Sequence, residues 1–412
     1  MISTVAVAEL PMSSRWIEAL GRQATIITAI FARAGFEPIA PPVIQPAHLF
    51  LDLIGEDLRA RTYVFTDPDG AELCLRPDLT IPATRLYLDR FGDSGQPARF
   101  SYNGVVFRYQ RAGGSLARPR EFRQAGIEYF APESPGQAEA EILALSAESI
   151  RAAGLRAFSF RVGDLGIFSA LLAAIDMPER WRTQLSHHFW QHAAFRRQLQ
   201  KLMKPEEFGR ALAEPLFQAI QAARRGAIRQ GDAVAALERH LEARGLVIAG
   251  TRTLDEIAWQ LEGLAADLKS PPLDPRAALL LDAYIKLSTP ARAAPDAVRA
   301  LLKGTTIDIE PALVRFEERL RLAAQEGVDI AEAPFSGGFG RQFEYYTGFV
   351  FEVLSPILGE EAPIAGGGRY DRLVEAIGTR RAAEAPAAQP IAAVGSAIHT
   401  ERLLLAVRGG LP

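Results

Sequence analysis

Strand-forming sequence occupies the two ends of this chain and is nearly missing from its middle, a distribution that restricts the fold more than any single motif. From 62 to 127, short runs rich in Val, Phe, Tyr and Leu alternate with Asp67-Pro68-Asp69-Gly70 and Gly92-Asp93-Ser94-Gly95, the pattern of antiparallel strands joined by turns. From 136 to 331 Ala, Leu, Arg and Glu recur at helical spacing, with one strand-like run at 158–162. Strand character returns at 343–354, followed by a glycine cluster and an apolar helix over 399–407. The expected architecture is α+β: an antiparallel sheet flanked by helices, built from 1–164 and 331–412, with a mostly helical insert at 165–330.

Residues 14–34 carry Trp16, Leu20, Ile27, Ile30 and Phe31 at helical spacing, and Gly35 stands where that helix should stop. The stretch 36–44 is broken by Pro38, Pro41 and Pro42, which suits an edge strand or extended arm. Residues 381–390, rich in Ala and Pro without a period, read as a surface loop. The net charge of -3 gives no general pull toward phosphate backbones. The single cysteine, Cys74, lies in an apolar run and reads as a core thiol in a reducing compartment. The N-terminus lacks a basic signal-type segment and no stretch reaches membrane-spanning length, so the cytoplasm is expected. His188 and His192 stand four apart on an expected helix, a spacing that suits a metal, but the adjoining Phe189 and Trp190 favour packing and no metal is expected. The basic runs at 195–201 and Arg224-Arg225 read as solvated helix faces, and Gly366-Gly367-Gly368, lacking a following Lys-Ser/Thr, reads as a close-approach turn.

Five separated stretches carry a resemblance. Residues 31–36 running into Ala40-Pro41-Pro42 resemble motif 1 of the class II aminoacyl-tRNA synthetases, which implies a homodimer through that region. Leu75-Arg76-Pro77-Asp78-Leu79-Thr80 resembles the element with which histidyl-tRNA synthetases hold the ammonium group of histidine, here through Asp78 and Thr80. Residues 106–111 and 120–128 are similar to motif 2, implying phosphate contact for Arg108, amino-acid contact for Gln124 and imidazole recognition by Glu128. A carboxylate suits that last role because it accepts an N–H and rejects isosteric apolar side chains. Residues 340–352 resemble the histidine-specific signature, with Arg341 on carboxylate and phosphate and the pair Tyr345-Tyr346 on the ring. If that segment is a strand, alternation turns one tyrosine away, and the family pattern points Tyr346 inward. Residues 365–371 continue the signature and put Tyr370 on the pocket floor, while 395–403 resemble motif 3, with Arg402 at the position that stacks on adenine.

The departures from that pattern are one-sided. The chain stops at Pro412, shortly after motif 3, so no anticodon-binding domain and no tRNA are expected. His399 stands where the family keeps a glycine against the nucleotide, Gln110 replaces an acid, and the loop 112–117 has lost the usual wording. Arg108, Gln110, His399 and Arg402 then form a vestigial nucleotide site beside an intact amino-acid site. That asymmetry resembles the synthetase paralogues that serve as regulatory subunits of ATP phosphoribosyltransferase. It implies a non-catalytic subunit without cofactor that assembles with a short-form catalytic chain and carries histidine feedback in histidine biosynthesis. The competing expectation is a degenerate synthetase-like enzyme that still forms histidyl-adenylate or histidylates a carrier; adenylate chemistry needs an open nucleotide site.

Overall fold

The computed structural model describes residues 13–51, 59–92, 94–110, 119–205, 263, 266–340, 345–381 and 391–409. The chain divides into two compact units, 1–170 with 286–412, and 171–285.

The first unit is built on a nine-stranded sheet in the order β1-β5-β6-β12-β11-β10-β7-β9-β8. The strands are β1 (Glu37–Pro38), β5 (Ala98–Phe107), β6 (Glu121–Phe130), β7 (Ser159–Asp164), β8 (Ser288–Pro290), β9 (Pro334–Ser336), β10 (Phe349–Leu354), β11 (Ala365–Arg369) and β12 (Ala393–His399). From β5 to β7 every neighbour is antiparallel; β1 on β5 and β9 on β7 are parallel. The proline-broken stretch is the edge strand expected, and it leads into a separate three-stranded sheet, β2 (Ile44–Pro46), β4 (Glu72–Leu75) and β3 (Tyr63–Thr66), in the order β2-β4-β3. Cys74 is fully buried at the centre of β4.

Helix α1 (Ser14–Arg33) starts at Ser13, whose side chain accepts from the Trp16 N–H, and ends before Gly35 at φ 80°. It buries Trp16, Ile27, Ile30 and Phe31. Helix α3 (Pro135–Ala152) packs on β12, where the Ser146 and Ser396 hydroxyls meet at 2.8 Å. Thr80–Phe91 is a helix, α2, inside the stretch expected to be all strand. The Asp78 carboxylate accepts from the Ile81 N–H at its start and Gly92 at φ 55° ends it. Its buried face, with Ile81, Tyr87 and Leu88, joins Leu373, Val374 and Ile377 of α9 (Asp371–Arg381) and the sheet residues Phe100 and Phe130 in one core. The glycine run is also not a turn, since Gly366–Gly368 lie within β11. Short strands β8 and β9 fall inside the stretch read as helical, and α8 (Glu310–Gln325) packs against α3. There Arg319 bridges the buried carboxylates of Glu139 and Asp164.

The second unit contains α5 (Glu179–His188), α6 (His192–Met203) and most of α7 (Pro275–Lys286); α4 (Leu165–Ala174) runs into it from the first unit. Trp181, Leu185, Phe195, Leu199 and Leu202 are buried, and Asp267 accepts from Arg180 and Trp181. His188 ends one helix and His192 begins the next, so the two do not share a helical face as expected. Arg196 and Arg197 are exposed, as a solvated face requires. Arg224-Arg225 and 382–390 lie outside the described residues.

Candidate functional site

The site grows out of strand register. In β6, Gln124, Gly126 and Glu128 face one side of the sheet because alternate residues share a face. Their cross-strand neighbours are Gly104, Tyr102 and Phe100 on β5 and His399, Ala397 and Gly395 on β12. Three of these pairs match a large side chain with a glycine, and in two of them the side chain lies over it. A Cβ on Gly395 would lie 1.6 Å from Glu128 Oε2, and one on Gly126 would lie 2.6 Å from the Tyr102 ring. Only glycine lets the carboxylate and the phenol lie flat on the sheet.

Glu128 is 1% exposed and its carboxylate is the polar centre of the site. Thr80 Oγ1 and the Tyr102 hydroxyl donate to Oε1, both at 2.8 Å, and the Tyr370 hydroxyl donates to Oε2 at 2.6 Å. Burial is the largest influence on its ionisation and outweighs the three hydroxyls, so its pKa is raised to about 7. Asp78, 2% exposed, accepts from the Tyr345 hydroxyl at 3.2 Å. Tyr345, Tyr346 and Tyr370 form a mutual cluster with ring centroids 4.9 to 6.5 Å apart.

Seven of the eight residues expected to bind histidine line one narrow cleft: Asp78, Thr80, Gln124, Glu128, Tyr345, Tyr346 and Tyr370. The eighth, Arg341, lies outside the described residues. Three placements differ from the sequence reading. Tyr345 and Tyr346 precede β10, which starts at Phe349, so strand alternation does not apply and both face the cleft. Thr80, expected with Asp78 at the ammonium group, also donates to Glu128. Tyr370 is more than floor, because it holds a carboxylate oxygen.

The residues expected around a nucleotide are engaged by neighbouring rings and carbonyls of the chain. The His399 ring stacks on Phe122 with centroids 4.3 Å apart and an interplanar angle of 8°. The Arg108 guanidinium also lies over Phe122, at 4.9 Å, and Arg108 Nε donates to the Pro77 carbonyl. Arg402 donates to the Pro363 carbonyl at 2.8 Å and Gln110 to the Pro119 carbonyl at 3.4 Å. His399 caps α10 (Thr400–Val407), its Nδ1 accepting from the Arg402 N–H. Burial first, then the charge of Arg402, lowers its pKa to about 4, so the ring is neutral near pH 7. Gln124 Oε1 and His399 Nε2 are buried with no hydrogen-bond partner among the described residues. The loop 111–118 lies outside the described residues.

Sequence reasoning missed Tyr102, Phe122 and Gly395. Tyr102 and Gly395 have no local signal; they become legible only when register sets them against Gly126 and Glu128.

The antiparallel sheet with its glycine-floored, carboxylate-centred cleft defines a class II synthetase-like protein of the histidyl type. The histidyl-tRNA synthetase family model matches residues 8–272 and 261–403. Among solved structures, a Bacillus halodurans protein described as an ATP phosphoribosyltransferase regulatory subunit/histidyl-tRNA synthetase superimposes with a TM-score of 0.63 at 20% identity, over 99% of this chain and 84% of its own. A histidine–tRNA ligase subunit from Alicyclobacillus acidocaldarius gives 0.56 at 22% identity, over 97% and 96%. Two curated relatives are named ATP phosphoribosyltransferase regulatory subunit. The Allorhizobium ampelinum protein is 34% identical over 91% of this chain and 95% of its own length, and that of Mesorhizobium japonicum 33% over 86% and 91%. The chain belongs to the family of ATP phosphoribosyltransferase regulatory subunits.

Proposed function

We propose that the cleft binds histidine and that this chain is the histidine-responsive subunit of a hetero-oligomer with a short-form phosphoribosyltransferase catalytic chain, which it activates and through which histidine feeds back. The glycosyltransferase chemistry belongs to that partner, and the setting is the cytoplasm. The observation that carries the reading is the contrast between the two halves of the site. The amino-acid half keeps two buried carboxylates in an aromatic cleft. Asp78 would take the ammonium group, which must be paired when desolvated; Glu128 would take a ring N–H, and Gln124, with a free buried acceptor, would complete the contacts. Arg341 would reach the carboxylate. In the nucleotide half His399 lies on Phe122, leaving that aromatic face to the chain's own ring. Adenylate formation requires ATP there, so the stack argues for a sensor over an adenylating enzyme, and no tRNA is expected as a partner.

A homodimer through the motif 1 region fits the small sheet, whose β2 and β3 expose Ile44 (52%) and Phe65 (38%) on one face. The test is copurification with a short phosphoribosyltransferase catalytic chain, assayed with and without histidine, alongside calorimetry of the isolated subunit with histidine and with ATP. Activity that appears only on mixing, falls with histidine, and is accompanied by histidine but not ATP binding is the expected result. Histidine-stimulated ATP–pyrophosphate exchange would favour the enzyme instead.

A further inference from the structure

An ionised carboxylate has no proton to give, so every hydroxyl within hydrogen-bond distance of it must donate. Its two oxygens offer about four lone-pair positions. Around Glu128 two are taken on Oε1, by Thr80 and Tyr102, and one on Oε2, by Tyr370. Gly395 keeps Oε2 in place, since any Cβ there would overlap it. Gly126 does the same for Tyr102, whose ring covers the space a side chain would need.

We infer that Tyr102 is a positioning and specificity-determining residue: with Thr80 it saturates Oε1, so Glu128 offers its ligand one free acceptor, on Oε2, and selects a ring that presents a single N–H. This rests on the proposed histidine reading for the ring's identity but not for the state of Glu128. The charged and titratable groups facing the carboxylate are Tyr102 from β5, Tyr370 from the end of β11, and Asp78 ahead of α2. Asp78 in turn has Tyr345 against it and Arg76 nearby. Tyr102 donates to the ionised form, so its hydroxyl favours ionisation and its loss must disfavour it.

Tyr102→Phe keeps the ring over Gly126 and removes the donor. In ligand-free protein, the Glu128 carboxyl ¹³C resonance, identified by its absence in Glu128→Gln, should titrate with a higher midpoint in Tyr102→Phe than in the unsubstituted chain. By calorimetry, histidine should be preferred over the ring-N-methylated histidine that blocks the donated N–H by roughly ten- to a hundredfold, the scale of one charge-assisted hydrogen bond. Tyr102→Phe should narrow that ratio. Should Tyr102→Phe fail to fold, Thr80→Val strips the other donor from Oε1 and carries the same titration test. A midpoint that does not move in the folded variant overturns the proposal, whether or not histidine binds. Absence of histidine binding to the unsubstituted chain overturns the histidine reading alone.

Discussion

Replacing Glu128 by glutamine should make the empty protein more stable at neutral pH while weakening its ligand. The carboxyl pKa rises from 4.5 to about 7 on folding. Below about pH 4.5 folded and unfolded chains both hold the proton, and the group costs nothing. As pH rises toward 7 the unfolded chain ionises first, binds fewer protons than the folded one, and stability falls. The difference is about two and a half pH units at about 1.4 kcal/mol each, so the full cost is about 3 kcal/mol and is reached above pH 7. Glutamine is neutral throughout. Its carbonyl can still accept from Thr80 and Tyr102, and its amide can donate to the Tyr370 hydroxyl, so the hydrogen bonds survive in altered form. Urea unfolding of both proteins at pH 5 and pH 8 isolates this group, because the other titrating residues cancel in the comparison. The unsubstituted chain should lose about 2 to 3 kcal/mol more than the variant between the two pH values. Histidine binding to Glu128→Gln should weaken by about 1.5 to 3 kcal/mol, roughly ten- to a hundredfold. Equal pH dependence of the two proteins would refute the reasoning, since burial would then not dominate the carboxyl's ionisation.

His399→Gly should uncover the face of Phe122 and bring ATP binding into the range calorimetry detects, with histidine affinity within about threefold of the original; a variant as inert toward ATP as the parent would show that the stack is not what closes the site. The isolated chain should be a dimer by light scattering at micromolar concentration, and Ile44→Asp, which puts a charge on the exposed apolar face of β2, should shift it to monomer. Arg319→Leu leaves Glu139 and Asp164, 2% and 4% exposed, without their bridging guanidinium; a loss of about 3 to 5 kcal/mol in urea unfolding is expected. Asp78→Asn should weaken histidine roughly ten- to a hundredfold by the same charge-assisted scale as Glu128→Gln.

The sheet core, its helical interruption and the line-up of Asp78, Thr80, Gln124, Glu128 and the three tyrosines were legible because widely separated motifs carry them in order. Local geometry was less so. Thr80, Ile81, Thr84 and Tyr87 are strand formers by propensity, and they read as a strand, yet the Asp78 carboxylate at the start of α2 and Gly92 at its end impose a helix whose apolar side is buried. The glycines of β11 suggested a turn by composition. In the fold they are strand residues paired on both sides, and glycine is required because a Cβ on Gly367 would lie 2.3 Å from the Gly395 carbonyl oxygen and one on Gly368 2.4 Å from that of Phe349. Tyr345 and Tyr346 looked like an alternating pair because the strand that follows them is aromatic, but pairing begins only at Phe349. In each case a tertiary neighbour decided what a local pattern left open.

The same neighbours explain why a ligand at this cleft would matter beyond its own contacts. Two carboxylates face the cleft, and for Glu128 burial outweighs the three hydroxyls that donate to it. The empty fold therefore bears the cost of Glu128 near pH 7, where a ligand bringing an N–H to Oε2 and an ammonium to Asp78 would relieve it. A ligand at a hundred times its Kd adds about 2.7 kcal/mol to the state that binds it, close to the roughly 3 kcal/mol derived for Glu128. Under the proposed reading, an assembly state in which the cleft is open to histidine gains that amount over one in which it is shut. A coupling of this size shifts an assembly equilibrium by about a hundredfold, enough for a pocket with no chemistry of its own to govern a catalytic partner.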